Sequence, residues 1–514
     1  MVNDANLTSG AVYGTRRPLA VALALALGVS VGVAAAVGLP AAHAGGRPEG
    51  GATWPVTQCG DSGAGSLRDV LAGAAPGDIV DLGALSCGTI SLTSGAIAVG
   101  QHGLTLRGPG AAALALAGSG ADRVLRHTGT GTLTIEGLTV RGGAIAGTDP
   151  DVTMRGGCID SDGSVVLTGA TVRECSVSAM SQARGGCIAA LGATLTDSHL
   201  EACRVDVVDG ASYAAAGGAL FVDGSRDLAL VRSTVTGNEV SSPLGGALGG
   251  GVYVGYGVYA TSSVTVTDSS LSGNRATGRP YAAGYGYFTT DQGMGGAIMT
   301  HNHIRIERST LSDNHAGTGG ALAMIGGDIA ADRMVLINST VSGNTAQNTG
   351  GGLWTLLGGV RLTNSTIAFN DAGYGAGGLL PQHPLFQGVY DFPPRIESSI
   401  VAANTTVYGI ADIDTQLPKL VITGSGNLIG ASSLTVPPDT LAGDPRLLPL
   451  ADNDGPTLTH ALAADSPALD AGFNPENLEH DQRGEGHARL SGAAVDIGAF
   501  ERAVGDAIFS DGFD

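Results

Sequence analysis

The chain has 514 residues, with 26 basic and 46 acidic side chains and a formal net charge of −20. A surface this acidic argues against nucleic acid and anionic membranes as partners. Its 84 glycines would be costly in helix interiors, and aromatic residues make up only 4% of the sequence. The composition therefore disfavours a helical fold.

Residues 1–44 are typical of a secretory signal. Residues 19–39 form an uncharged run of Ala, Leu and Val, preceded by Arg16 and Arg17 and followed by Ala42-His-Ala44. This order predicts export with cleavage after Ala44, and hence a secreted or cell-surface protein without a remaining transmembrane segment. Because the run is just long enough to span a bilayer, an uncleaved anchor is the alternative.

A short N-terminal cap is predicted for residues 45–90. The segment that begins at Gly65 is typical of a short helix with Ser66 as its N-cap, and the first strands follow it. We expect this element to cover the open end of the repeats that come next, because an uncovered end would expose apolar core and unpaired strand edges.

One pattern recurs seven times between residues 170 and 370: alternating apolar residues, a small residue and usually a hydroxyl residue, then an apolar residue and, three positions on, an Asn or Cys. Successive copies end 28, 35, 36, 40, 30 and 26 residues apart, which is the interval expected when each copy is one coil of a solenoid. The copies end at Cys175, Cys203, Asn238, Asn274, Asn314, Asn344 and Asn370.

The apolar residues before each small residue alternate with period 2, so they predict a strand with one buried face. The next apolar column lies an odd number of residues further on, which predicts a corner with the small residue at the bend. Paired glycines, as in Gly217-Gly-Ala-Leu, open a further strand in each coil. We therefore predict an all-β, right-handed parallel β-helix over residues 91–435, with the asparagines forming a hydrogen-bonded ladder at one corner.

A charged column precedes the small residues of the same repeats. It contains Asp197, Arg232, Asp268 and Arg308 on successive coils. Opposite charges at this spacing avoid repulsion and favour one register, so we interpret the column as structural.

Six cysteines in an exported chain predict three disulfides, for which sequence alone allows 15 pairings. Two of the cysteines share one repeat column and two share another, and neighbouring coils lie within disulfide range. We therefore expect bridges within each column and a third bridge in the N-terminal segment. The expected pairs are Cys158 with Cys187, Cys175 with Cys203, and Cys59 with Cys87.

Three stretches resemble known families of bacterial surface proteins. The Gly-Gly-Ala-Leu and Asn-ended repeats resemble those of polymorphic outer membrane proteins, and Ser66-Leu-Arg-Asp69 resembles the leader of proteins grouped by the motif CSLREA. Residues 436–505 resemble the choice-of-anchor Q domain through Ser466-Pro-Ala-Leu-Asp-Ala-Gly472 and Asp496-Ile-Gly-Ala-Phe-Glu501, and residues 506–514 form a short tail. These resemblances imply an exported β-helix closed by a C-terminal module, and they imply no particular activity.

The C-terminal module contains several carboxylates that would suit Ca²⁺, but their spacing matches no fixed calcium loop. Arg483 and Arg489 are the expected ion-pair partners of these groups. We accordingly expect no cofactor and no metal, with Ca²⁺ as an unsupported option. The carboxylates are Asp452, Asp454, Asp470, Asp481, Asp496 and Glu501.

Many parallel β-helices of the pectin lyase-like kind cleave acidic polysaccharides. A catalytic site in this chain would lie on the outward face. The candidate patch combines a histidine, three arginines and one carboxylate on three successive coils. A lyase would use Arg305 or Arg333 as base, whereas the missing second carboxylate disfavours a hydrolase. Solvated or ion-paired side chains are the structural alternative. The patch consists of His303, Arg305, Glu307, Arg333 and Arg361.

Tyrosines cluster in two Gly-rich segments and are candidates for binding glycan or protein, although covering apolar core would account for them equally well. The function predicted from these features is an exported, non-catalytic, adhesin-like surface protein that binds an extracellular glycan or protein. The alternative is a polysaccharide lyase or glycoside hydrolase that acts on acidic polysaccharide. The clustered tyrosines are Tyr253, Tyr256, Tyr259, Tyr281, Tyr285 and Tyr287.

Overall fold

The computed structural model describes residues 51–209, 215–255, 262–279, 293–326, 332–382, 393–415 and 420–503. These residues form a right-handed parallel β-helix, as predicted. Each strand pairs in register with the equivalent strand of the coils before and after it, so that Val165 lies between Leu133 and Ala193. The predicted signal segment lies outside the described residues. Within the described residues, no helix has both the length and the apolar character needed to cross a bilayer.

Four parallel sheets, here called A to D, run along the β-helix, and the chain passes through them in the order A, B, D, C within each coil. Sheet A consists of Thr53–Pro55, Asp78–Asp81, Gly103–Arg107, Thr132–Glu136, Ser164–Thr168, Gly192–Thr196, Leu228–Val231, Ser263–Thr267, His303–Glu307, Met334–Ile337, Val360–Thr363 and Arg395–Glu397. Sheet B consists of Thr89–Ser91, Ala115–Ala117, Thr139–Arg141, Thr171–Arg173, His199–Glu201, Thr234–Thr236, Ser270–Ser272, Thr310–Ser312, Thr340–Ser342, Thr366–Ala368, Ile400–Ala402 and Leu428–Ile429.

Sheet D contains two rows of strands, and sheet C follows its second row. The first row of sheet D consists of Ala144–Gly147, Ser176–Ala179, Arg204–Val207, Glu239–Ser241, Arg275–Thr277, His315–Thr318, Thr345–Thr349, Asp371–Tyr374, Thr405–Thr406 and the antiparallel Gly409–Ile410. The second row consists of Met154–Arg155, Ala183–Arg184, Ala215–Ala216, Ala247–Leu248 and Gly293–Met294. Sheet C consists of Ile97–Val99, Leu125–His127, Ile159–Ser161, Ile188–Ala190, Leu220–Val222, Val252–Val254, Ile298–Thr300, Leu322–Ile325, Leu353–Leu356 and Leu379–Gln382.

Left-handed backbone residues make the corners of the coils. Asp197 (φ 50°) turns the chain from sheet A to sheet B, Glu174 (φ 56°) from B to D, and Gly217 (φ 67°) from D to C. A Cβ at Gly217 would lie 2.4 Å from the Leu220 carbonyl oxygen, so this last corner excludes every other residue. The odd offset in the repeat thus marks a true corner, and the left-handed residue sits one position before the small Ser.

The predicted asparagine ladder is confirmed. Asn314 Nδ2 donates to Asn344 Oδ1 at 2.9 Å, and Asn274 Nδ2 donates to Asn314 Oδ1 at 2.9 Å. The ladder extends beyond its predicted end to Asn404, where Asp412 replaces the next amide. The Asp412 carboxylate accepts from the Asn404 backbone N–H at 2.7 Å and from Asn404 Nδ2 at 2.8 Å. A carboxylate suits this end because it accepts hydrogen bonds without donating one.

The predicted disulfide Cys59–Cys87 is confirmed, but the pairing of the other four cysteines was wrong. The bridges are Cys158–Cys175 and Cys187–Cys203, each within one coil and with Cα–Cα distances of 5.5 Å. Both cysteine columns line the coil interior, and they face each other across it. Side chains stacked in one column point in parallel, whereas those of facing columns point toward each other, so the bridge forms across the coil.

Two further segments flank the sheets. The helix Leu67–Gly73 starts after Ser66, whose hydroxyl accepts from the Asp69 N–H at 3.3 Å, and it buries Leu67 and Leu71. Residues 444–503 contain the antiparallel pair Leu447–Ala451 and Thr459–Leu462. This C-terminal segment packs on the outer face of sheet B, where Thr340 Oγ1 donates to Gln482 Oε1 at 2.6 Å.

Candidate functional site

An outward-facing groove runs where the second row of sheet D meets sheet C. The glycine corners between them turn the two outer faces toward each other, so Ala216 and Leu248 from sheet D contact Phe221 from sheet C in an apolar cluster separate from the core inside the coils. One pocket of about 200 Å³ opens in this groove between Arg184, Phe221, Asp223 and Tyr253. We call it the Arg184 pocket.

Two aromatic rings form the floor of the Arg184 pocket. Phe221 and Tyr253 are partners on neighbouring coils, and their rings stack with centroids 5.4 Å apart and planes 14° apart. His301 on the next coil meets Tyr253 edge-on, with centroids 6.1 Å apart. Aromatic side chains that line a pocket offer apolar surface for contact with a sugar ring.

Arg184 lies over this floor, its guanidinium carbon 5.0 Å from the centroid of Phe221. Burial lowers the pKa of the Arg184 guanidinium, and the negative charge of Asp223 opposes that effect. Among the described residues, none forms a hydrogen bond or an ion pair with the Arg184 side chain, although the Arg184 backbone carbonyl accepts from the Gly156 N–H at 2.9 Å. A half-buried guanidinium with unused donors favours the binding of an anion.

The preceding coil shows what Arg184 lacks. There Arg155 occupies the same column, and its Nε lies 3.4 Å from the buried carboxylate of Asp160. Burial raises the pKa of Asp160, whereas the positive charges of Arg155 and its neighbours lower it. The residue aligned with Asp160 on the coil of Arg184 is Ala189. The carboxylate that would neutralise Arg184 is therefore replaced by a methyl group.

The residues of the predicted charged patch form separate contacts in the structure. Arg305 pairs with Glu307 at 3.2 Å, and Arg361 pairs with Glu397 at 3.7 Å and also with Glu476. Val335 separates Arg305 from Arg361 along the column.

The remaining two members of the patch lie toward sheet C. Arg333 is buried and donates from Nη2 to the His301 carbonyl oxygen at 2.9 Å. Burial lowers the pKa of His303, and the positive charge of Arg333 lowers it further. Four of the five residues, all except His303, are thus held by ion pairs or backbone contacts.

Of the clustered tyrosines, Tyr253 lies in the groove. The other five, Tyr256, Tyr259, Tyr281, Tyr285 and Tyr287, lie outside the described residues. Arg184 and Asp223 were missed by sequence reasoning because each looks like an ordinary surface charge. Aligning Arg155-x₄-Asp160 with Arg184-x₄-Ala189 is the signal that would have found the first of them.

A larger cleft of about 930 Å³ separates the charged corner column from the C-terminal segment. Its arginines are already neutralised: Arg232 pairs with Asp197 at 2.7 Å and Arg308 with Asp268 at 2.7 Å, as the alternating column predicted. This cleft therefore offers fewer unused donors than the Arg184 pocket.

The carboxylates proposed for Ca²⁺ serve within the C-terminal segment. Asp481 binds Arg483 at 2.8 Å, and Glu501 lies 3.6 Å from Arg489, which confirms the expected arginine partners. Asp496 accepts the backbone N–H groups of Asp470 and Arg502 at 2.7 and 2.8 Å. These contacts give the carboxylates of Asp481, Asp496 and Glu501 partners within the protein.

Comparison with protein families finds no match, and neither does comparison with curated protein sequences. Solved structures that resemble the chain include three polysaccharide lyases. Pectate lyase Pel9A is 13% identical with a TM-score of 0.36, over 88% of this chain and 98% of its own. The family PL6 alginate lyase AlyGC is 14% identical with a TM-score of 0.37, over 80% of this chain and 55% of its own. A mannuronic acid-specific family 6 lyase from human gut microbiota is 13% identical with a TM-score of 0.33, over 76% and 85%. The fold assignment rests on the strand pairings described above.

Proposed function

We propose that this chain is an exported protein that binds an acidic polysaccharide in the groove between sheets D and C, with a uronate residue in the Arg184 pocket. The proposal rests on Arg184, whose guanidinium stacks on Phe221. On its coil, Ala189 occupies the position that Asp160 occupies on the preceding coil. A sugar carboxylate would supply the missing charge.

The other residues of the pocket suit the rest of a sugar. The half-buried ring of Tyr253 lines the pocket and provides apolar surface, and the Asp223 carboxylate is an acceptor for hydroxyl groups. A guanidinium binds a carboxylate through two parallel hydrogen bonds, which fixes the orientation of the sugar on the ring. A few polar groups at the rim of an apolar pocket are the usual composition of a saccharide or cofactor site.

Three features support export. The sequence begins with the signal pattern of residues 1–44. All six cysteines are in disulfides, which persist in oxidising compartments. The resemblance to bacterial surface proteins, and to the choice-of-anchor Q domain in particular, adds a cell-surface location to this proposal.

Calorimetric titration of residues 45–514 with oligogalacturonate and oligomannuronate tests the binding proposal. Arg184→Gln should weaken binding about tenfold or more, since hydrogen bonds to charged groups contribute roughly 1.5–3 kcal/mol. Ala189→Asp should have a similar effect while leaving Arg184 in place, because the new carboxylate would pair with it as Asp160 pairs with Arg155. Arg305→Gln, which removes an arginine already paired on sheet A, is the control. Equal affinities for all four proteins would refute the proposal.

A second candidate function, eliminative cleavage, is favoured by His301. Burial lowers the pKa of His301, a hydrogen bond to the Ile325 backbone opposes this effect, and the charge of Arg333 lowers the pKa further. The ring is therefore neutral at pH 7, and with one nitrogen bonded to the Ile325 carbonyl the other carries a lone pair. Such a nitrogen is a candidate base on the coil next to Tyr253, whose ring His301 meets edge-on.

In this reaction Arg184 would neutralise the uronate carboxylate and acidify the proton on the adjacent ring carbon. His301 would take that proton, the electron pair would form a carbon–carbon double bond, and the glycosidic carbon–oxygen bond would break. The Tyr253 hydroxyl would donate a proton to the departing sugar oxygen. Ultraviolet absorbance of the unsaturated product measures the reaction, and His301→Gln should abolish it while preserving binding. Binding without any such product would leave saccharide binding as the function.

A further inference from the structure

The four cysteines of the two stacked bridges lie together in the interior of the β-helix. Cys158 and Cys187 occupy one column, where the Cys158 N–H donates to the Cys187 carbonyl oxygen at 3.1 Å. Cys175 and Cys203 occupy the facing column, one coil apart. All four are buried, with exposures of 0–1%.

Sulfur atoms of the two bridges approach each other although they are not bonded. The Sγ atoms of Cys175, Cys187 and Cys203 all lie within 4.8 Å of one another. Cys158 Sγ lies outside this group of three but is bonded to Cys175 Sγ. In a tetrahedral zinc site the metal–sulfur distance is about 2.3 Å, which places the sulfurs about 3.8 Å apart. Small side-chain rotations would therefore bring four released thiols to this spacing.

We infer that the reduced chain binds one thiophilic divalent cation of the zinc class at these four cysteines. A phosphine supplies two electrons to each disulfide and becomes the phosphine oxide, while water supplies the oxygen and the two protons, so that four thiols are released. Binding of Zn²⁺ then displaces protons from the thiols as the metal–sulfur bonds form. The metal would occupy the place of the two bridges and hold the same two coils in register before oxidation.

The surroundings favour a metal over bare thiolates. The site is closed by core residues such as Val172 and Leu200, and uncompensated negative charges are costly in an apolar interior. The Gly143 N–H lies 3.3 Å from Cys158 Sγ, which is the kind of backbone donor that stabilises a metal-bound thiolate. The competing state is a metal-free tetrathiol, in which the Cys187 S–H would have the Val172 carbonyl oxygen as an acceptor, since that oxygen lies 3.3 Å from Cys187 Sγ in the disulfide-bonded structure.

The test uses residues 45–514 reduced anaerobically with a phosphine and titrated with Co²⁺, whose sulfur-to-metal charge-transfer bands report thiolate coordination. The wild type should bind one Co²⁺ per chain, release protons, and exchange the Co²⁺ for Zn²⁺. The double variant Cys158→Ser/Cys187→Ser should show no such bands. The control Cys59→Ser/Cys87→Ser, which removes the remaining bridge, should behave as the wild type.

The inference is overturned if the reduced wild type keeps its β-sheet circular dichroism and shows no thiolate bands, or if both double variants bind equally. If reduction unfolds the chain, one equivalent of Zn²⁺ should restore the β-sheet signal in the wild type and in the Cys59→Ser/Cys87→Ser control. Failure of Zn²⁺ to restore that signal would equally overturn the inference.

Discussion

Replacing one buried rung of the asparagine ladder should destabilise the β-helix strongly. Asn314 makes four side-chain hydrogen bonds: Nδ2 donates to the Leu271 carbonyl oxygen and to Asn344 Oδ1, each at 2.9 Å, and Oδ1 accepts from the Asn274 N–H at 3.0 Å and from Asn274 Nδ2 at 2.9 Å. Asn314→Ala removes all four. It also leaves the Asn274 N–H without its acceptor in the interior.

The magnitude follows from these contacts. A buried donor left without a partner costs about 1–3 kcal/mol, and each of the other three hydrogen bonds contributes roughly 0.5–1.5 kcal/mol. Since the freed partners recover part of this loss, we expect Asn314→Ala to reduce the free energy of unfolding by about 3–5 kcal/mol. Asn453→Ala, which alters a half-buried asparagine outside the ladder, should cost about 1 kcal/mol or less.

Urea unfolding followed by far-ultraviolet circular dichroism measures the loss, and hydrogen exchange locates it. In a solenoid each coil contacts only its neighbours, so exchange should accelerate at Asn274 and in the adjoining coils before it does so near the N-terminal helix. A loss below about 1 kcal/mol with unchanged exchange at Asn274 would refute the assignment of the ladder as a major source of stability.

Three further predictions concern ionisation and the disulfides. Burial raises the pKa of Glu501 to about 7 from 4.5, so the folded state holds a proton that the unfolded state releases. The free energy of unfolding should therefore fall as the pH rises from about 4.5 to 7. Urea titrations at several pH values measure this slope, which Glu501→Gln should flatten. Asp61 should act in the opposite direction. Burial opposes its ionisation, but hydrogen bonds from Ser94, Arg68 and the Thr93 backbone outweigh burial and lower the pKa of Asp61. Its contribution to stability is therefore present above pH 4 and lost on acidification, and Asp61→Asn should remove that acid dependence. Non-reducing peptide mapping should recover Cys59–Cys87, Cys158–Cys175 and Cys187–Cys203, and a Cys158–Cys187 peptide would contradict the structure.

The repeats predicted the ladders well because a parallel β-helix places equivalent residues of each coil directly next to each other. The columns of Asn314 and Arg232 required only a correct alignment of the repeats. The cysteine pairing required more, because it depends on which columns face each other across the coil. That relation is set by the three left-handed corners, whose angles do not appear in the spacing of the repeats.

The groove between sheets D and C could not be predicted from the repeat spacing either. The alternation of buried and exposed residues predicts which side chains point outward. The predicted patch lies on sheet A, where Arg305 and Glu307 stand on a single strand. The paired glycines instead fold the outer faces of sheets D and C toward each other, so Arg184 and Tyr253 from different strands line one pocket. Concavity of the outer surface is a property of corners, and it cannot be derived from the alternation of buried and exposed residues.

One substitution along a column distinguishes an ion-paired arginine from the arginine of the proposed binding site in this groove. Arg155 and Arg184 stand on adjacent coils in equivalent positions, and the difference between them is the side chain five residues later, Asp160 in one coil and Ala189 in the next. Where the carboxylate is present, it lies 3.4 Å from the Nε of the arginine and forms an ion pair with it. Where it is replaced by alanine beside two stacked rings, the same arginine is left to pair with a ligand, and this is why the Arg184 pocket is where we expect an acidic sugar to bind.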